Sequence, residues 1–213
     1  MKRIIAYLCF TAIVSSVAAQ ESKTIILNPP DLTRGLPVMQ ALSLRVSATE
    51  FDTTSLSLQD MSDLLWAANG INRPESGKRT APSARNWQDI DVYVVMKSGA
   101  YIYNHTKHSL NFITGGDHRA LVAGRQENFA VAPLFCVMVS DFSRFSSGDD
   151  SSKMVIAAYD AGIVSQNISI FCASVGLDTR VRAWMDKEKL RDILKLKDSQ
   201  HLMLNNPVSY KKD

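Results

Sequence analysis

The sequence predicts an α+β fold, and three observations carry that prediction. β-forming runs at residues 91–96 and 100–103 are separated by Lys97-Ser98-Gly99, the spacing of an antiparallel hairpin. An amphipathic stretch starts after Ser57, with Leu58, Met61, Leu64, Leu65 and Ala68 at helical spacing. The helices and strands also follow one another without the regular β-α-β alternation of a doubly wound sheet.

The chain opens with Met1-Lys2-Arg3, an apolar run over residues 4–17, and Ala18-Ala19 before Gln20. A basic head, an apolar run shorter than the ~20 residues of a membrane span, and small residues at a cleavage site form the pattern of a secretory signal peptide. Residues 1–19 are therefore read as the signal and 20–213 as one domain, since no Pro/Ser linker divides them. Cys9 lies in the middle of the apolar run after Leu8, which argues against a lipid anchor. The expected location is outside the cytoplasm, periplasmic or extracellular.

Residues 20–36, with Pro29-Pro30, read as an extended arm leading into a short helix at 38–44. Ser57 with Asp60 three residues on is a helix start, and Asn69-Gly70 is the stop. Residues 71–78, holding Pro74 and Gly77, read as a loop, and the hairpin follows. The nearly continuous apolar run at 132–139 implies burial on both faces, hence the centre of a sheet. After a polar loop at 143–152, residues 154–175 form a long apolar helix ended by Gly176. Its length would suit a membrane span, but Asp160, Gln166 and Asn167 would be costly there. It reads instead as a helix buried between the sheet and a partner subunit. A charged amphipathic helix at 187–196 and a strand-like stretch at 202–204 close the chain.

The formal charge of the 213-residue chain is +3, and loss of Lys2 and Arg3 leaves +1. No global excess of positive charge remains to hold a nucleic acid. Of the cysteines only Cys136 and Cys172 survive cleavage, each in an apolar run, and they read as small buried hydrophobes, with a single bridge left open. His105 and His108 lack Cys or Glu at ligand spacing, and residues 147–152 lack the alternating oxygen ligands of a calcium loop, so no metal is expected. Trp66, Trp87 and Trp184 read as core or interface residues.

Four segments, taken in order, resemble the nitroreductase family. Arg45-Val46-Ser47-Ala48-Thr49-Glu50-Phe51 is similar to its Arg-Arg-Ser-x-Arg-x-Phe phosphate motif, with Val46 and Thr49 departing. Asp63-Leu64-Leu65-Trp66-Ala67-Ala68-Asn69-Gly70 resembles its Leu-Leu-x-Ala-Ala-x-x-Gly helix and turn. Residues 79–88, with Pro82, Ser83, Asn86 and Gln88, resemble its Pro-Ser-x-x-Asn-x-Gln loop. Asp160-Ala161-Gly162, Gln166-Asn167 and Gly176-Leu177 look like its central helix, and the tail Val208-Ser209-Tyr210-Lys211-Lys212 looks like its Val-Gly-Tyr-Pro-Lys ending. The likeness is to the short members, the branch that includes thiazoline oxidases.

The resemblance implies a central, mostly antiparallel sheet flanked by helices, an intertwined homodimer, FMN as cofactor, and hydride transfer to or from a small organic substrate. Arg45 and Ser47 would hold the phosphate, for which a guanidinium fork and a hydroxyl are suited. Lys211 or Lys212 would supply the charge missing at Thr49. Asn86 would bond the ribityl chain or ring edge, with Pro82, Ser83 and Ala84 offering backbone groups. Backbone amides near Ala161 and Gly162 would face the redox-active ring nitrogen. The step takes place on the flavin, so no side chain is expected as catalytic acid or base.

Plainer readings stand beside these. Arg45 can be a surface arginine and Ser47 a cap; Asn86 can stabilise a turn, and Gly162 can be a packing contact. A different functional class also stays open, that of an exported flavin-binding or degenerate member without turnover, because nicotinamide donors are cytoplasmic. N-terminal sequencing of secreted protein is expected to begin at Gln20, and recovery of intact Met1 in the membrane fraction would refute the signal reading.

Overall fold

The computed structural model describes residues 24–212. The expected signal segment, residues 1–19, lies outside them.

In chain order the elements are β1 (Ile25–Ile26), α1 (Val38–Leu44), α2 (Leu58–Asn69), β2 (Ile71–Arg73), β3 (Lys78–Arg79), β4 (Ile90–Met96), β5 (Gly99–Asn104) and β6 (Ser109–Gly115). Then come α3 (Arg119–Ala123), β7 (Leu134–Asp141), α4 (Asp150–Val175), β8 (Leu177–Thr179), α5 (Lys187–Ile193) and β9 (Gln200–Tyr210). Seven strands form one sheet in the order β1-β6-β5-β4-β7-β9-β8, with each neighbouring pair antiparallel. The fold is α+β, as the sequence predicts, with helices on both faces of an antiparallel sheet.

The expected hairpin is β4 and β5, with Met96 opposite Gly99. All eight residues of β7 are buried. Their alternation sends Leu134, Cys136 and Met138 to the face covered by α2 and α4, and Phe135, Val137 and Val139 to the face covered by α3 and α5. A strand that serves two cores cannot carry a polar face, which is why its sequence looked uniformly apolar. Cys136 and Cys172 are free and join the α4-side core, where burial pushes the Cys136 thiol up to about 12.

Ser57 caps α2 by accepting the Asp60 N–H at 3.0 Å. Gly70 ends the helix with an ordinary negative φ, so its glycine answers a different demand. A Cβ there would stand 2.6 Å from the Trp66 ring, within the path of the chain folding back. Gly176 ends α4 in the left-handed region at φ 77°, where a glycine is the expected cap.

Several boundaries differ from expectation, each for a physical reason. The 71–78 loop contains the small hairpin of β2 and β3. The central strand begins at Leu134 instead of Ala132, because a 3-10 turn (Glu127–Val131) runs up to Pro133, which has no N–H to give a ladder. Asp149 accepts the Ser152 N–H at 2.7 Å and starts α4 four residues before Met154. The last helix stops at Ile193, shortly before Lys195 turns left-handed at φ 52°. Finally, the stretch at 202–204 is the middle of an 11-residue strand, β9.

By length and apolar composition α4 could cross a membrane. One stripe of it, including Ala161, Val164, Ile168 and Cys172, is buried against the sheet and α2, which makes it the core helix of this fold. Replacing Phe135, fully buried in the α3–α5 core, is expected to test how far that second face contributes. Phe135→Ala should lower unfolding free energy by about 3–5 kcal/mol in denaturant titrations; a loss below about 1 kcal/mol would show that this face is not a packed core.

Candidate functional site

The residues singled out by sequence fall into two cradles. The first is the segment after α1. Its backbone is pinned: Ala48 N–H donates to the Thr179 carbonyl at 3.0 Å, Arg180 Nη1 donates to the Ala48 carbonyl at 3.2 Å, and Asp52 N–H donates to Ser209 Oγ at 3.1 Å. Phe51 packs edge-on against Phe129 with ring centres 5.4 Å apart. Ala48 and Phe51 are thereby buried while Arg45 and Ser47 are exposed. Among the described residues, neither the Arg45 nor the Ser47 side chain has a hydrogen-bond or ion-pair partner.

The tail comes to the same edge, since Leu177 pairs with Tyr210 and Thr179 with Val208. Lys212 is taken up by Glu50 at 2.7 Å. Lys211 is the exposed lysine left over, near enough to Asp178 to oppose the upward push that burial gives that carboxyl. Sequence reasoning missed Arg180, whose guanidinium lies against the motif. Its place depends on β8 pairing at the sheet edge, which no local pattern announces.

The second cradle is the loop at residues 82–88. Arg85, Asn86 and Gln88 all have positive φ, at 49°, 57° and 50°, an uncommon state for residues with a Cβ. A dense network holds them. Gln88 N–H donates to Ser83 Oγ at 2.8 Å, Gln88 Nε2 donates to the Gly77 carbonyl at 3.0 Å, and Arg144 Nη1 donates to the Gln88 carbonyl at 2.7 Å. Trp87 packs on Phe145 at 4.8 Å, and Ala84 N–H donates to Asp160 of α4 at 3.1 Å. Pro82 and Asn86 are exposed, with Ser83 and Ala84 half-buried, so the loop shows a fixed polar rim to solvent.

Beneath this rim Arg79 is buried. Its Nη1 donates to the Ile90 carbonyl at 3.0 Å and its Nη2 lies 3.1 Å from His105 Nε2. Burial and the neighbouring Arg79 push His105 down to about 4, which leaves its ring neutral and able to accept that bond. Arg144 pairs with Asp91. Burial raises the Asp91 carboxyl, opposed by Arg144.

Ala161 and Gly162 lie next to Asp160 in the interior of α4, where backbone N–H groups belong to the helix ladder. What Gly162 offers is a bare strip of helix, for a Cβ there would meet nothing within 4 Å.

The structure brings Arg45, Ser47 and Lys211 together at one place and Pro82, Ser83, Ala84, Asn86, Ala161 and Gly162 at another, but it does not join the two groups within one chain. The first group follows Leu36, whose N–H bonds the Ser174 carbonyl at the C-terminal end of α4. The second is tied to Asp160. At 1.5 Å per helical residue, the two anchor points are roughly 20 Å apart along α4.

Comparison with known proteins identifies the family and the fold. The model of the nitroreductase family matches residues 42–210. A protein of Methanocaldococcus jannaschii assigned by name to the nitroreductases is 30% identical over 200 residues, covering 88% of this chain and 98% of its own. A crystal structure from Ralstonia eutropha JMP134, carrying the same assignment, is 32% identical, with a TM-score of 0.83 over 100% of this chain and 98% of its own. The structure of a protein named as an NAD(P)H:FMN oxidoreductase, from Staphylococcus epidermidis, shares the fold at 15% identity, with a TM-score of 0.64 over 85% of this chain and 90% of its own.

Proposed function

The chain belongs to the nitroreductase family of oxidoreductases, and on that premise we propose that it is an FMN-dependent enzyme that moves a hydride to or from a small organic molecule, working as a homodimer. The observation that carries this reading is the first cradle, where Arg45 and Ser47 stand exposed and unpartnered on a pinned backbone, with Lys211 at the same edge. Cationic and hydroxyl donors left free of internal partners fit a dianionic phosphate.

Arg45, Ser47 and Lys211 would hold the phosphate, and Arg180 adds positive charge where Thr49 supplies none. The rim of Pro82, Ser83, Ala84 and Asn86 would orient the ribityl chain and ring, and bare Gly162 permits close approach to α4. When bound, FMN supplies the redox chemistry. The chain's own part is to fix position and field, with no side chain assigned as nucleophile.

The distance between the cradles supports a two-chain site. Apolar residues on α1 and on the outer side of α4 are open to water, among them Val38 at 60%, Met39 at 74% and Tyr159 at 67% exposure. Contiguous apolar exposure of this kind marks an interface. A two-fold partner packed there with its α4 antiparallel would set the Ala84 end of one helix beside the Ser174 end of the other. Together with the signal reading, this makes the protein an exported dimer, periplasmic or extracellular.

Arg45→Ala should weaken FMN binding by about 1.5–3 kcal/mol, the range for a hydrogen bond to a charged group, and weaken riboflavin much less. Equal FMN affinity in mutant and parent would remove Arg45 from the site. Complementation checks the shared site directly. Arg45→Ala and Asn86→Ala chains, each poor in flavin alone, should form on co-expression a heterodimer with one intact site and so recover FMN. No recovery would place each site within a single chain.

A further inference from the structure

We infer that Asp89 and Asp160 share a single proton, and that this acid–carboxylate contact latches the 82–88 loop to α4, making Asp160 a positioning residue for the flavin. The inference rests on the FMN reading above only for its last clause. The latch itself is a property of the protein without ligand.

Asp89 is fully buried just before β4 and Asp160 is 4% exposed on α4. Ser140 Oγ donates to Asp89 Oδ2 at 2.5 Å, while Asp89 Oδ1, equally buried, has no donor. Asp160 accepts the Ala84 N–H with both oxygens, at 3.1 and 3.3 Å, and lines one small cavity with Gln88 and Ile90, the residues on either side of Asp89, which sets the two carboxyl groups against each other. Two carboxylates cannot bond each other unless one carries a proton, so the orphaned Oδ1 and the Asp160 contact account for one another. The adjoining cavity of about 10 Å³, lined by Asn69, Arg79, Ser83, Gln88 and Asp160, holds at most one water and gives little screening.

No cation among the described residues forms an ion pair with either acid, but Arg79 and Arg144 both act on Asp89 at longer range and favour its ionised form, which leaves the proton on Asp160. Arg79 faces the cavity but is bonded to the Ile90 carbonyl and to His105, and Arg144 is bonded to Asp91. His105, held down to about 4, is neutral. Burial and the Asp89 contact push the Asp160 carboxyl from 3.8 up to about 7.

The folded pair therefore keeps a proton that the unfolded chain loses near pH 4. Its stabilisation falls as pH rises from about 4 to about 7 and is level above that. Past that point two buried anions repel across the contact joining β4 to α4, and the strained loop hung on Ala84 loosens. The groups at Pro82, Ser83, Ala84 and Asn86 then lose their fixed positions.

Asp160→Asn mimics the protonated form, since its amide can donate to Asp89 Oδ1 while its oxygen accepts from Ala84. In Asp89→Asn, an amide likewise replaces the shared proton. Infrared spectra of flavin-free wild type should show a carboxylic-acid C=O band at pH 5.5 that fades by pH 8.5 and is missing from both variants. Wild-type FMN affinity should fall about three- to tenfold more than that of Asp160→Asn between pH 6.5 and 8.5. The FMN phosphate titrates alike in both proteins, so the difference isolates the latch. A band that persists in Asp89→Asn overturns the sharing. Identical pH profiles for FMN in wild type and Asp160→Asn overturn the positioning role. Should neither protein bind FMN, the cofactor reading fails with it, and the infrared band still decides the proton.

Discussion

The packing of α4 across the sheet fixes where the ligand-facing groups end up. The helix spans Asp150–Val175, and its buried stripe lies on the β4–β7–β9 surface and α2 through Ala161, Val164, Ile168 and Cys172, with Ala157 packed among Phe142 and Phe145. Once that stripe is seated, Asp160 is held against the loop before β4 and Ser174 against the turn before α1. Both cradles are thus hung on one rigid element, one near its middle at Asp160 and the other near its C-terminal end at Ser174. A rod of fixed rise keeps them apart in one chain and, paired antiparallel with a copy, would bring them together. In the dimer proposed above, a partner is called for by helix geometry as much as by exposed apolar surface.

Sheet burial imposes the second constraint. With helices on both sides, β4 and β7 are apolar through their middles, and polar groups lie at their ends, as Asp91, Ser140 and Asp141 do, on α4 and along β9. There they are paired almost without exception. Arg182 donates to the carbonyls of Val122 and Ala123, to Gln126 Oε1 and to Asn205 Oδ1, and Asn206 joins Ser165 to Thr179. Such networks stabilise little against a well-packed apolar alternative, but they penalise any misregister of β9, since a slip of one residue would strand a guanidinium in the core.

What was legible in the sequence divides along the same line. Elements set by neighbours along the chain could be read: the capped start of α2 at Ser57, the Lys97–Ser98 hairpin turn, the left-handed cap at Gly176, and the two-sided apolar run of β7. Those set by distant partners could not. β6 is mixed in polarity, β8 is only three residues long, and β9 contains Asn205-Asn206-Pro207, residues that propensity removes from strands. They are strand residues here because Arg182, Ser165 and Thr179 bind their side chains and because Pro207 lies opposite Phe135. α3, five residues long, gives no periodic signal at all.

The candidate site shows the same division one level up. Motif positions such as Arg45, Ser47 and Asn86 could be picked out only because short stretches around them resemble family motifs. The groups that hold those stretches in place were invisible, because their meaning is pairwise. Asp89 reads as an ordinary acid before a strand and Asp160 as a polar blemish on an apolar helix, until the fold puts one against the other with no cation between them. Arg180 likewise becomes part of the first cradle only when β8 takes its place at the sheet edge. A short linear motif can thus nominate candidate ligand-facing residues, whereas the electrostatic conditions around them depend on contacts the chain makes with itself across distances such as the 71 residues that separate Asp89 from Asp160.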